Sequence, residues 1–103
     1  MSPYIDVSQI EKKLDLHNGL SLVLLDRLAK EDIYGLLECA RNVFLVDRFA
    51  KIVWQIQTDF DTNGGSFTNI FADEDGFKGY RWDGGTYEIN LENGRGVPAV
   101  MLK

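Results

Sequence analysis

The sequence predicts an α+β domain in which N-terminal helices pack on one face of a meandering antiparallel sheet of about five to six strands. Three observations support this prediction. Apolar residues recur at helical spacing up to about residue 42, they alternate with polar residues from residue 43 onward, and Gly-, Asn- and Asp-rich turns separate the later segments. A chain of 103 residues with 45% hydrophobic content forms a single domain (1–103), mainly helical over 1–42 and an antiparallel sheet over 43–103.

The first helix is predicted to begin at Asp6. Gln9 follows three residues later, as in a capping box, and the apolar residues that come next have helical spacing. His17 is expected to cap the C-terminal end of this helix, where an imidazole donor is favourable. Asn18-Gly19 ends it.

Two further segments precede the sheet. Residues 20–28 form a short apolar run that fits either a buried strand or a buried helix, and the four-residue spacing of its leucines favours a helix. Apolar residues between 33 and 44 predict another helix with one apolar face, despite the unfavourable Gly35. This helix is expected to end near Arg41-Asn42.

Strands are predicted from residue 43 onward. Trp54 lies on the apolar face of an alternating segment, so we expect it to belong to the core. Turns of two to five residues join the later segments, which therefore pair as antiparallel neighbours. Pro98 suits an edge strand. The predicted strands are 43–46, 52–60, 67–71, 77–82, 87–91 and 97–102.

Composition and charge restrict the compartment and the partners. The chain shows no signal peptide and no apolar run long enough to span a bilayer, so we expect a cytoplasmic protein without a membrane partner. Residues 59–92 contain eight acidic and two basic residues, interleaved with aromatic residues. Such a surface would repel nucleic acid and would attract a basic protein.

Residues 59–64 match the opening of a calcium-binding loop. Asp59, Asp61 and Asn63 occupy alternate positions, and Gly64 is the sixth residue. The twelfth position, which needs a bidentate glutamate, is Ile70. We therefore expect a polar turn and no metal or other cofactor, with a small calcium-binding domain as the alternative function.

The sequence contains only weak candidates for catalytic residues. Cys39 has no base nearby in the sequence and is expected to be a buried thiol, which also fits a reduced compartment. A single histidine cannot form a multi-histidine metal site. Asp83 and Glu88 are predicted to face each other across a turn, but an open sheet would not desolvate them enough to shift their pKa values. We expect no enzymatic activity.

The C-terminal half resembles small immunity proteins of bacterial contact-dependent growth inhibition and related polymorphic toxin systems. The resemblance rests on residues 52–56 (IVWQI), 66–70 (SFTNI) and 79–90 (GYRWDGGTYEIN). It implies a cytosolic, non-enzymatic protein that binds and neutralises one cognate toxin domain, often a nuclease. These immunity families differ widely in sequence and fold, so the resemblance assigns no functional residue.

Charge and resemblance together predict an inhibitor that occludes the active site of a basic nuclease, with an RNase favoured over a DNase. Acidic side chains would replace substrate phosphates and steer association. We expect a monomer. A scaffold or an antitoxin without a nuclease target fits the sequence equally well. The residues predicted to contact the toxin are Asp59, Asp61, Asp73, Glu74, Asp75, Tyr80, Trp82, Asp83 and Glu88.

Overall fold

Two four-stranded antiparallel sheets make up most of the fold. The computed structural model describes residues 3–16, 18–63 and 65–99. Within them, the strands of each sheet pair in the order in which they occur along the chain. The first sheet contains β1 (Ile10–Asp15), β2 (Ser21–Leu25), β3 (Val43–Val46) and β4 (Ile52–Gln55). The second sheet contains β5 (Phe67–Asp73), β6 (Gly76–Arg81), β7 (Thr86–Ile89) and β8 (Gly96–Pro98).

The predicted layer of N-terminal helices is wrong. Residues 10–15, predicted as helical, form β1, and residues 21–25, for which a helix was favoured over a strand, form β2. Ile10 and Leu14 are four residues apart, as on one face of a helix, but a register shift between Ile10 and Lys12 turns Ile10 toward the outer cluster and leaves Leu14 on the main core. Every residue of β2 is buried, because this central strand is covered on both faces, and the resulting unbroken apolar run has no strand period to detect.

Helical structure is confined to short segments. A 3-10 turn covers Val7–Gln9, and Asp6 caps it by accepting a hydrogen bond from the Ser8 amide. The helix predicted from residue 33 to about residue 42 is divided at Gly35, whose φ of +89° separates α1 (Glu31–Tyr34) from α2 (Leu36–Ala40). Its predicted apolar face is largely exposed. Among the described residues, no helix is long and apolar enough to cross a membrane.

The strands predicted after residue 43 are observed with altered boundaries. The strand predicted over 52–60 ends at Gln55, and residues 59–63 form a turn. The last strand is Gly96–Pro98, and the rest of the predicted segment 97–102 lies largely outside the described residues, as does His17. The predicted single sheet of five to six strands is wrong, because β3 and β4 belong to the first sheet and β5 to β8 form the second. Within each sheet, neighbouring strands pair antiparallel.

The main core lies between the two sheets. Trp54 is 9% exposed and packs there with residues of both sheets, which confirms its predicted place in the core. Its indole nitrogen donates to the Leu91 carbonyl at 2.8 Å, and its ring lies against Gly94, where a Cβ would approach within 2.6 Å. A second apolar cluster covers the outer face of the first sheet, where Ile5 packs over β2 and β3.

Buried Asn42 ties the two sheets together. Its amide nitrogen donates to the carbonyls of Leu25 and Phe67 at 2.8 and 2.9 Å, and its amide oxygen accepts from the Phe67 amide. Since Leu25 ends β2 and Phe67 begins β5, one side chain satisfies backbone groups of both sheets. Gln57, after β4, forms an isolated bridge with Arg95, immediately before β8.

Candidate protein-binding surface

The acidic residues of the second sheet lie at separate places. The β5–β6 hairpin carries Asp73, Glu74 and Asp75 at one end of β6, and the β6–β7 turn carries Asp83 at the other end. Six strand residues separate these ends by about 17–20 Å. Glu88 lies between them, on β7 opposite Lys78 and Val97. The two turns therefore present two separate groups of acidic residues.

Some of these acids are already paired within the chain. Asp59 forms an exposed ion pair with Arg95. Both carboxylate oxygens of Asp73 accept hydrogen bonds from the Lys78 ammonium, at 2.7 and 2.9 Å. These bonds, with one from the Asp75 amide, lower the pKa of Asp73. Among described residues, Glu74, Asp75, Asp83 and Glu88 have no cationic group within 4.0 Å.

Asp61 is inside the protein and cannot present its carboxylate to a partner. It is 3% exposed, and its two oxygens lie 2.7 Å from Arg81 Nη2 and from Arg41 Nε. Burial alone would raise the pKa of Asp61, but hydrogen bonds from the Thr58 amide and from both guanidinium groups outweigh it and lower that pKa. Asp61 therefore stabilises the fold and does not belong to the predicted contact surface.

Arg81 is the cation at the centre of this interior network. It is fully buried against the rings of Phe67 and Tyr87, with its guanidinium carbon 4.3 and 4.8 Å from their centroids. Besides Asp61, it donates to Thr58 Oγ1 at 3.0 Å and to the Ala40 carbonyl at 2.8 Å. The network thereby joins β6, the end of α2 and the 59–63 turn.

Inward-facing Arg81 leaves its two aromatic neighbours outside. Tyr80 and Trp82 are 42% and 65% exposed. The side chain of Trp82 packs beside Gly65, and the Tyr80 hydroxyl lies near Gly84, so both rings approach the β6–β7 turn. This arrangement removes both rings from the core, a possibility that the sequence had left open.

A shallow groove of about 320 Å³ adjoins Trp82. Leu28, which is 44% exposed, and Glu31 line it on the other side. The Ser66 hydroxyl donates to the Arg27 carbonyl at 3.2 Å, which holds the loop before α1 against the start of β5. We define the Trp82 surface as Leu28, Glu31, Tyr80, Trp82 and Asp83.

The 59–64 segment does not fit a calcium site. Its central carboxylate, that of Asp61, is occupied by two guanidinium groups, which a cation would have to displace. Gly64 lies outside the described residues. Over the described parts of the chain, no group of three or more His, Cys, Asp or Glu side chains is placed to hold a metal ion.

The candidate catalytic groups are also accounted for by local structure. Cys39 is buried, and its burial raises the pKa of the thiol, which disfavours the nucleophilic thiolate. Asp83 accepts a hydrogen bond from the Gly85 amide within its own turn, at 2.9 Å. Glu88 lies on β7 beside Lys78, so neither carboxylate is enclosed in a desolvated cleft.

Comparison with protein-family models, with curated proteins and with solved structures found no match to this chain.

Sequence reasoning missed Leu28, Glu31 and the role of Arg81. Leu28 was included in an apolar run, and only its position beyond the end of β2 exposes it. No role was predicted for Arg81, which faces the interior while its neighbours Tyr80 and Trp82 are exposed. Its buried counter-ion, Asp61, is 20 residues away in the chain, so local pattern does not reveal the pair.

Proposed function

We propose that this chain is a cytoplasmic, non-enzymatic immunity protein that binds a cognate toxin domain through the Trp82 surface and thereby neutralises it. The observation that carries this proposal is an exposed tryptophan beside an exposed leucine and a groove that Glu31 also lines, with exposed Asp83 next to the tryptophan in the chain. Exposed tryptophan and tyrosine side chains are the commonest energetic anchors of protein interfaces.

The packing of the fold supports this choice of surface. The interior is filled by Trp54 and its neighbours, so Trp82 contributes little to the core. A partner can cover this large apolar side chain without disturbing the packing of the core. Removing its apolar area from water favours association. The Trp82 surface therefore has the composition of an interface centre, with charge at its edge.

Charge favours a basic partner. Asp83 has no cation within 4.0 Å in the described structure, and the chain carries a formal net charge of −5. A toxin that cleaves RNA or DNA needs a cationic site for phosphates, and an acidic inhibitor occupies such a site with complementary charge. A basic nuclease domain, with an RNase favoured, is the partner class that we propose.

The hairpin acids have a different role in this proposal. Glu74 and Asp75 lie about 17–20 Å from the Trp82 surface along β6, roughly two Debye lengths at physiological salt. Their charges attract the approaching partner before contact, and this attraction is greatest at low ionic strength. Asp83, at the rim, acts in the bound complex as well.

Co-expression tests the proposal. The proposal requires a toxin domain encoded beside this chain; that domain is expressed together with the wild-type chain or with one of three variants, and cell growth is measured. We expect protection by the wild type, loss of protection in the double variant Trp82→Ala with Asp83→Arg, and full protection by Phe49→Ala. Phe49 is an equally exposed aromatic residue in the β3–β4 turn, far along the chain from the Trp82 surface.

A third variant tests an acidic residue whose ion pair is made within the chain. Asp59→Asn removes an exposed ion pair with Arg95 and should retain protection. Failure of the wild-type chain to protect would contradict the proposed function. Protection by the Trp82 and Asp83 double variant, with the wild type also protecting, would contradict only the assignment of the surface.

A further inference from the structure

A cavity of about 450 Å³ lies on the outer face of the first sheet, on the opposite layer of the sandwich from the strands that carry Tyr80 and Trp82. Its floor consists of Leu25, Phe44 and Ile52, which belong to the second apolar cluster, and Ile5 and Tyr34 contribute to its walls. A concave, mainly apolar space of this volume is typical of sites for small molecules.

Arg27 supplies one cation to this cavity. It is 6% exposed, and its guanidinium carbon lies 3.9 Å from the centroid of the Tyr34 ring. The guanidinium donates one hydrogen bond, from Nη1 to the Asp26 carbonyl, and buried Nε has no partner among the described residues. No described carboxylate lies within 4.0 Å of it. A buried cation without an anion or a full set of acceptors is unfavourable.

The two acids that line the cavity are engaged elsewhere. Asp6 accepts hydrogen bonds from the amide and hydroxyl of Ser8 and from Gln9. Glu38 accepts a hydrogen bond from the side-chain amide of Gln55 at 3.2 Å. Among the described residues, both carboxylates therefore have hydrogen-bond donors, and neither lies within ion-pair distance of the Arg27 guanidinium, with which Asp6 interacts only through space.

We propose that this cavity binds a small molecule with an apolar body and a single carboxylate, and that the carboxylate pairs with Arg27. The Tyr34 ring covers one face of the guanidinium, and the N–H donors lie in its plane, in the fork that suits a carboxylate. The apolar body lies on Leu25, Phe44 and Ile52. Asp6 and Glu38 repel the anion through space, which sets an upper limit on its affinity and favours a single negative charge.

Octanoate is the probe for this proposal, with 1-octanol and octylamine as uncharged and cationic molecules of the same chain length. The backbone amide signals of the isotope-labelled full chain are followed by NMR during each titration. We expect saturable shifts at Leu25, Phe44 and Ile52 with octanoate, and at least about tenfold weaker binding of the other two molecules.

Two variants and a matched control test the charge assignment. Arg27→Met should weaken octanoate binding about tenfold or more without changing octanol binding. Glu38→Gln should strengthen octanoate binding, because it removes a repelling charge from the cavity wall. Glu74→Gln removes the same charge from the distant hairpin and should leave binding unchanged.

The ranking of the three probes and the effect of Glu38→Gln decide the proposal even if Arg27→Met does not fold. Equal binding of octanoate and octanol, preferential binding of octylamine, or weaker octanoate binding in Glu38→Gln would overturn it. So would shifts confined to residues outside the cavity. None of these results depends on the toxin or on the Trp82 surface.

Discussion

The interior and the Trp82 surface each contain a tryptophan and an aspartate, and the two pairs have opposite environments. Trp54 and Asp61 are enclosed between the sheets, where the indole has a backbone acceptor and the carboxylate has two guanidinium partners. Trp82 and Asp83 are exposed at a turn, and Asp83 has no ion pair in the described structure. The acidity and aromatic content of residues 59–92 therefore divide into groups that stabilise the fold and groups available to a partner.

Replacement of Trp54 is the strongest way to test the interior side of this comparison. Trp54→Ala should reduce the free energy of unfolding by about 3–5 kcal/mol, because it leaves a cavity and removes the hydrogen bond to Leu91. Urea denaturation of the wild type and the variant measures the difference. A melting temperature close to that of the wild type would show that the ring does not fill the core.

Removal of the Asp61 charge should have a similar but smaller effect. Asp61→Asn keeps the shape of the side chain and leaves Arg81 buried without an anion, at a cost of about 3 kcal/mol. Asp83→Asn is the matched control at the surface and should change the free energy of unfolding by less than about 0.5 kcal/mol. Equal effects of the two substitutions would remove the distinction between the interior and the exposed aspartate.

Acid should erase the difference between the wild type and Asp61→Asn. The pKa of Asp61 is lowered in the folded protein, so its stabilising contribution is complete above the unfolded value of about 3.9 and is lost as pH falls through the folded value. Urea denaturation between pH 7 and pH 2 should show a constant difference above pH 5 that shrinks below pH 4. A difference that grows on acidification would contradict the assigned ionisation of Asp61.

Replacement of Trp82 should have the smallest effect on folding. With 65% of its surface exposed, Trp82→Ala should change the free energy of unfolding by no more than about 0.5 kcal/mol. The same urea titration used for Trp54→Ala provides the measurement. A loss above 2 kcal/mol would place Trp82 with the structural residues and would weaken its assignment to a partner.

Most strands after residue 66 were predicted near their observed positions, whereas β1 and β2 were not, for physical reasons. The strands after residue 66 are rich in aromatic and β-branched residues and are separated by turn residues, so local sequence defines them. Residues 21–25 are buried on both faces, and the two apolar residues of 10–15, Ile10 and Leu14, have a spacing that also fits a helix. Local pattern could not identify those strands, because their neighbours across the sheet determine them.

The candidate site shows the same limit. Alternation placed Tyr80 and Trp82 together on one face, but the orientation of that face depended on the contact between Arg81 and Asp61, which are 20 residues apart. Asp61 was grouped with exposed acids because charge alone does not reveal a buried pair. Leu28 and Glu31 join Trp82 only through the packing of the loop before α1 against the start of β5.

Association kinetics with the cognate toxin domain test the central claim most directly, at 20 mM and 200 mM salt. We predict that Trp82→Ala raises Kd at least about tenfold, mainly through faster dissociation, and that Phe49→Ala leaves Kd unchanged. Reversal of Glu74 and Asp75 to lysine should slow association at the lower salt concentration and have little effect at the higher one. Unchanged affinity in Trp82→Ala, together with association rates that do not depend on salt, would contradict recognition through the Trp82 surface.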